Sequence, residues 1–252
     1  MTEPSLRGLD VRAHLADPER KQAFVTPMFD IIAPRYDDFT RVFSFGMDAR
    51  WKGAMLAALA GRVPAGATAI DIACGTGDLA FAVQRLAPGV QSRGIDASSR
   101  MIVAAQARAA AAGPGAPTFD VGDMSAIPAR DGSAHLITGG YALRNAPDWR
   151  AAIAECARVL APGGVLATLD FYRPAGAMWR TLFLAYLRVA GEIVGRAWHG
   201  HGIVYGYIAP SIAHFTTVGE FEGELASQGF SLEARATHLL GGVAWHVARK
   251  RS

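Results

Sequence analysis

Read for its hydrophobic and polar positions, the chain alternates short apolar runs with longer segments of helical period from residue 49 onward. Residues 49–59 predict a helix, stopped by Gly61 and Pro64. A strand is predicted over 67–73, then a glycine turn and a helix over 78–86. A second strand ends at Ile95, an alanine-rich helix covers 98–112, and a third strand covers 118–121 after the loop 113–117. The turn Arg130-Asp131-Gly132 precedes a fourth strand over 136–138; a helix over 149–160 stops at Pro162-Gly163-Gly164 before a fifth strand over 165–171. Strands and helices in strict alternation predict an α/β fold with a doubly wound parallel sheet. Residues 175–215 break the rhythm with a long helix and a Gly/His/Tyr-rich loop, expected to form a lid or substrate cap. A helix over 218–227 and strands over 231–236 and 242–249 close the chain, and residues 1 to about 50 read as a helical cap on the one domain.

Composition narrows this picture in a few respects. Of 252 residues, 51% are hydrophobic and 19% charged, enough apolar surface for a large core and too little charge for a disordered chain. The net charge is +3, with no basic block of the kind a nucleic-acid arm carries, so no nucleic-acid partner is expected. Cys74 and Cys156 lack metal-ligand spacing; two free thiols in a reducing cytoplasm and no metal site are expected. Residues 1–21 are polar and lack the apolar core of a signal peptide. The most apolar stretch, 181–194, is interrupted by Arg188 and Glu192 and is too short to span a bilayer. A cytoplasmic protein follows, with a homodimer left open.

The chemistry concentrates at the first strand–helix junction, Asp71-Ile-Ala-Cys-Gly75-Thr-Gly77-Asp78. Glycines there allow a ligand close to the backbone, and the helix start offers unpaired N–H groups. Asp96 ends the second strand, placed to accept hydrogen bonds from both hydroxyls of a ribose. Asp123 follows the third strand, suited to an adenine amino group, with Met124 or Ile127 against the ring. The run Gly75-x-Gly77-x-x-Ala80 equally fits a dinucleotide fingerprint, which keeps an NAD(P)-linked oxidoreductase as a rival. Asp71 and Asp78 tip the balance, since two carboxylates beside a diphosphate repel it, whereas the sulfonium and ammonium of S-adenosylmethionine (SAM) suit them.

These segments resemble the ubiquinone/menaquinone biosynthesis C-methyltransferases. The likeness rests on Phe29-Asp-Ile-Ile-Ala-Pro-Arg-Tyr36-Asp37, the glycine junction, Gly122-Asp123-Met-Ser-Ala-Ile-Pro128, Leu143-Arg144-Asn145, and Ala157-Arg158-Val-Leu-Ala-Pro-Gly-Gly164. Tyr205-Gly-Tyr207 and Gly241-Gly242-Val-Ala-Trp-His246 add to it. The resemblance implies a seven-stranded SAM methyltransferase sheet and a polyprenylated quinol as methyl acceptor. The cofactor set is then Tyr36, Asp71, Gly75, Thr76, Gly77, Asp96, Ala97, Met101, Asp123, Met124 and Gly140, with Arg144, Asn145, His201 and Tyr205 as the catalytic candidates. Arg144 is expected to stabilise a developing phenolate, Asn145 to orient the ring, and His201, Tyr205 or Tyr207 to take a proton. The chain departs from the family pattern at Thr40, Gly140, Asp170 and Pro210, so another phenolic or polyketide acceptor is the alternative; a non-catalytic SAM-binding protein is a further rival. Arg180, Arg188 and Arg196 on the long helix suggest peripheral contact with an anionic membrane.

Overall fold

The computed structural model describes Lys21, residues 25–30, Ser44, residues 46–199 and residues 207–251. Seven strands form one sheet: β1 (Thr68–Ile72), β2 (Gln91–Asp96), β3 (Thr118–Val121), β4 (Ala134–Gly140), β5 (Leu160–Phe171), β6 (Phe230–His238) and β7 (Val243–Lys250). Their order is β3-β2-β1-β4-β5-β7-β6. The first five run parallel, whereas β7 pairs antiparallel with both β5 and β6. The sheet is therefore mixed, because β6 and β7 follow one another through a short turn at Leu239–Gly241 with no crossover helix between them.

Helices α1 (Asp48–Ala58), α2 (Asp78–Gln84), α3 (Ser99–Ala112), α4 (Trp149–Val159), α5 (Ala177–His199), α6 (Ile208–His214) and α7 (Val218–Ser227) complete the described elements. Their starts are chemically marked. Ser98 Oγ accepts from the Met101 N–H at 3.1 Å, Asp148 accepts from Arg150 and Ala151 N–H, and Thr217 with Glu220 forms a capping box on α7. Alternate residues of β5 feed opposite faces of the sheet. Val165, Ala167 and Leu169 join one apolar core with Met55, Trp51 and Trp245; Leu166 joins the other with Ile70, Ile153 and Phe221. The fifth strand begins earlier than the expected 165 because Leu160 already pairs with Ala134, and the Pro162-Gly163-Gly164 turn lies within the irregular stretch that follows. Among the described residues, no helix is long and apolar enough to cross a membrane.

On β7, His246 is 1% exposed, edge-on to Tyr172 and 3.3 Å from Glu222 Oε1. Burial pushes its imidazole down to about 4. In the unfolded chain a histidine titrates near 6.5. The unfolded state therefore gains a proton first, and stability drains away as pH falls from about 6.5 to about 4. Asp71 acts in the opposite sense: burial pushes its carboxyl up to about 7, so the folded chain holds that proton more tightly and gains stability over the fall from 7 to 4. The two trends mask each other in the wild type. In urea titrations, His246→Gln is expected to gain about 3 kcal/mol relative to wild type between pH 7 and pH 4. A constant difference across that range would contradict the assignment.

Candidate functional site

A cleft opens at the carboxyl ends of β1 to β4, where the direction of strand order reverses. It takes in about 600 Å³ of empty space, open solvent included. Each strand end supplies part of the wall: Ala73 and Gly75 follow β1, Asp96 ends β2 ahead of Ala97 and Ser98, Gly122 to Met124 follow β3, and Gly140 ends β4 ahead of Tyr141 and Asn145. Val25, Thr26 and Phe29, from the helical residues 25–30, lie against the same space.

The glycine loop is built for backbone approach. Gly75 and Gly77 both have positive φ, at 54° and 91°. A Cβ on Gly77 would lie 2.5 Å from the Phe119 ring, so the turn admits no side chain there. Asp96 ties this loop to the next one: Gly75 N–H donates to Oδ2 at 2.9 Å and Ser98 N–H donates to Oδ1 at 2.8 Å. Each carboxylate oxygen keeps acceptor capacity, since two oxygens offer about four lone-pair sites. Burial raises the Asp96 pKa above the usual carboxylate range, with the nearby Asp30 adding to the effect. Asp30 itself accepts from Ser98 Oγ at 2.5 Å, which joins the N-terminal helical residues to the second strand end. Asp123 folds its own turn, taking Ser125 N–H at 2.7 Å, and Met101 and Met124 supply flat apolar wall.

Three expected cofactor residues sit elsewhere. Asp71 is turned into the sheet, where Thr138 Oγ1 donates to Oδ1 at 2.7 Å and Ala80 N–H donates to Oδ2 at 3.2 Å. Thr76 is held from the far side of the loop by Arg108, which donates to its carbonyl and its hydroxyl, and it borders a smaller recess with Lys52 and Asp78. Gly77 caps α2 and does not border the main cleft. Asp78 lies 2.9 Å from Arg108 and 3.7 Å from Lys52. This corrects the charge argument made from the sequence. Asp78 is offset by two cations and Asp71 is buried with its carboxyl held by Thr138 and the Ala80 N–H, so neither is a free negative charge at the mouth. The acidic groups that do face the cleft are Asp96 and Asp123. Tyr36, His201 and Tyr205 lie outside the described residues.

Behind the cleft, a 3₁₀ turn over Leu143–Asn145 orients the Arg-Asn pair. Asn145 borders the cleft, its Nδ2 donating to Tyr141 O at 2.9 Å and its Oδ1 accepting from Tyr207 OH at 3.0 Å. Arg144 points the other way. Its N–H donates to Asp170 Oδ2 at 3.0 Å, its Nε lies 3.4 Å from Asp170 Oδ1, and its Nη1 donates to Ser211 Oγ at 2.6 Å. Arg144 and Asp170 are both buried. Burial raises the Asp170 pKa, and the guanidinium opposes that rise. Lys21 donates to Ala146 O at 2.5 Å beside this pair, and its ammonium is pushed down to about 8 by burial and then by Arg144.

Sequence reasoning missed Tyr141. Its φ of 58° is unusual for a side chain of that size, as is the 46° of Ala73, and both residues border the cleft. Its hydroxyl donates to Asp48 Oδ1 at 2.7 Å and its ring stacks on Phe171 at 5.3 Å. The available signal was an aromatic residue directly after the glycines that end β4.

A family model described as the ubiE/COQ5 methyltransferase family matches residues 17–250. The chain belongs to that family. It is 33% identical to the demethylmenaquinone methyltransferase of Thermus thermophilus, over 81% of this chain and 92% of that one. It is 35% identical to the ubiquinone/menaquinone biosynthesis C-methyltransferase UbiE of Syntrophotalea carbinolica, over 86% of this chain and 90% of that one. A SAM dependent methyltransferase from Aquifex aeolicus has the same fold, with a TM-score of 0.61 at 14% identity over 87% of this chain and 97% of that one. As a ubiE/COQ5 family member the chain is a SAM-dependent methyltransferase, and the NAD(P)-linked rival falls away.

Proposed function

We propose that this methyltransferase transfers a methyl group to a ring carbon of a polyprenylated hydroquinone, a demethylmenaquinol or a benzoquinol precursor of ubiquinone. The reading is carried by the relatives named for demethylmenaquinone and for ubiquinone/menaquinone biosynthesis, aligned over most of both chains. A partly buried carboxylate with spare acceptor sites, two methionines and a glycine-lined backbone suit an adenosine, so the cleft fits SAM. Asp96 would take the ribose hydroxyls, Asp123 and Met124 the adenine, and Gly75, Ala97, Met101 and Gly140 the remaining contacts.

When bound, SAM supplies an electrophilic methyl on a sulfonium, which in-line attack by the ring carbon releases with the bonding pair left on sulfur; the ring C–H proton is then lost. The chain's own task is to align the ring and stabilise its oxygen. Asn145 sits at the cleft wall with its amide fixed at both ends, by Tyr141 O and Tyr207 OH, and would orient that oxygen. Arg144 is a positioning residue in this reading, because its guanidinium is directed to Asp170 and Ser211 and does not border the cleft. Burial raises the Tyr207 phenol above its ordinary pKa and its hydroxyl donates to Asn145, so it is no base. His201 and Tyr205 are the residues to test as proton acceptor.

A polyprenylated acceptor would place the reaction at a membrane surface, in this reading the cytoplasmic one. The purified chain, given methyl-labelled SAM and reduced membrane lipid extract, is expected to put label into the quinone fraction. Label entering only a water-soluble phenol offered in a parallel reaction would favour the phenolic alternative, and saturable SAM binding without label in any acceptor would favour a non-catalytic binder.

A further inference from the structure

Helix α5 carries five large apolar side chains that touch solvent: Met178, Leu182, Tyr186, Val189 and Ile193, each 40 to 80% exposed. Their spacing of four, four, three and four residues gathers them into a sector about 80° wide and about 22 Å long. The opposite face packs against the sheet side of the fold. Phe183 and Leu187 are buried, and Trp179 Nε1 donates to Leu239 O at 2.8 Å. None of the stripe's residues borders the cofactor cleft, so the helix expected to be a lid turns this apolar face away from it.

We propose that this stripe seats the protein on an anionic lipid bilayer, with α5 lying in the plane of the interface. The choice of a bilayer rests in part on the reading of the acceptor as a polyprenylated quinol, and two observations support it independently. Arg188 and Arg196 flank the stripe against the single acid Glu192, while Arg180 lies on the opposite face of the helix. Arg188 is exposed on the polar flank, and exposed Arg196 continues the line of the stripe one turn past Ile193, paired to Glu192 at 2.6 Å. Cations beside an in-plane apolar face match an anionic headgroup layer. The stripe also exposes on the order of 500 Å², a sizeable patch for a monomer but short of the ~800 Å² per partner that a stable dimer buries.

The location links the membrane to the site. Helix α6 packs along α5, Ser211 of α6 accepts from Arg144, and Tyr207 at its start donates to Asn145 in the cleft wall. Between α5 and α6 runs an open groove lined by Leu184, Ala185, Ala209 and Ala213, with Arg188 and His214 at its edge. A lipid tail leaving the bilayer at the stripe meets this groove first.

The test is co-sedimentation of the full chain with phosphatidylcholine vesicles, with and without phosphatidylglycerol. The expected result is binding to the anionic vesicles, weakened by salt. Leu182→Gln/Ile193→Gln is expected to lower that binding by about tenfold or more. The same variant should methylate a short-chain, water-soluble hydroquinone at the wild-type rate. No wild-type binding to anionic vesicles, or equal binding by the variant, would overturn the proposal. A wild-type dimer that the double variant disperses would overturn it too. Intact vesicle binding with no turnover of short- or long-chain quinol would instead remove the acceptor reading and leave the docking surface standing.

Discussion

Asp96→Ala is expected to weaken SAM binding by roughly 100-fold or more, measured by titration calorimetry. In the proposed complex this carboxylate accepts from two ribose hydroxyls, and hydrogen bonds to a charged acceptor contribute about 1.5–3 kcal/mol each. The substitution also frees the Gly75 and Ser98 N–H groups, which hold the two loops of the cleft in register. Asp96→Asn separates the two contributions. One amide oxygen still accepts, but its NH₂ faces an N–H donor, so the loops loosen while part of the ribose contact survives. An Asp96→Ala protein that binds SAM within a few-fold of wild type would show that the cofactor lies elsewhere.

The second large effect is expected at Arg144. Truncation to alanine leaves Asp170 buried without its cation, and breaking a buried pair from one side costs about 3–5 kcal/mol. Urea unfolding reads this loss directly. Replacing both partners, as in Arg144→Met/Asp170→Leu, should recover only part of the stability, because it removes the unpaired charge but also strips the Arg144 and Phe171 N–H groups of their buried acceptor. Activity separates the roles. If Arg144 acts by holding Asn145 and the α6 start in place, the double variant should bind SAM normally yet turn over slowly, with kcat reduced more than KM. A single variant that loses under 1 kcal/mol would mean that the pair is solvated and not part of the packed interior.

The departures from the family pattern now have physical settings. A side chain on Gly140 would press against Leu79, whose nearest carbon lies 2.9 Å from the added Cβ. Asp170 caps the Arg144 turn through two backbone N–H groups, its own neighbour Phe171 among them. Pro210 lies on α6 in the groove facing α5, away from the cofactor cleft. Thr40 is outside the described residues.

Much of this protein was readable along the chain because its signals are local. Strand and helix periods, the glycine pair before Asp78, and acids at the ends of β2 and β3 depend only on near neighbours, so the sheet and the positions of Asp96 and Asp123 were expected where they occur. The antiparallel end of the sheet was not, since nothing within β7 states which strand it will pair with. Charge was misread for a similar reason. Asp71 and Asp78 are seven residues apart and look like one acidic mouth, but Thr138 and Arg108, each far along the chain, take up their carboxylates. Residue order settled the fold class, the glycine turn and the family likeness, all consequences of short-range sterics and periodicity. Tertiary contacts alone decided which carboxylates face the cleft, that Arg144 turns inward to Asp170, and that Tyr141 closes the wall. Those outcomes depend on desolvation and on partners brought together from distant parts of the chain.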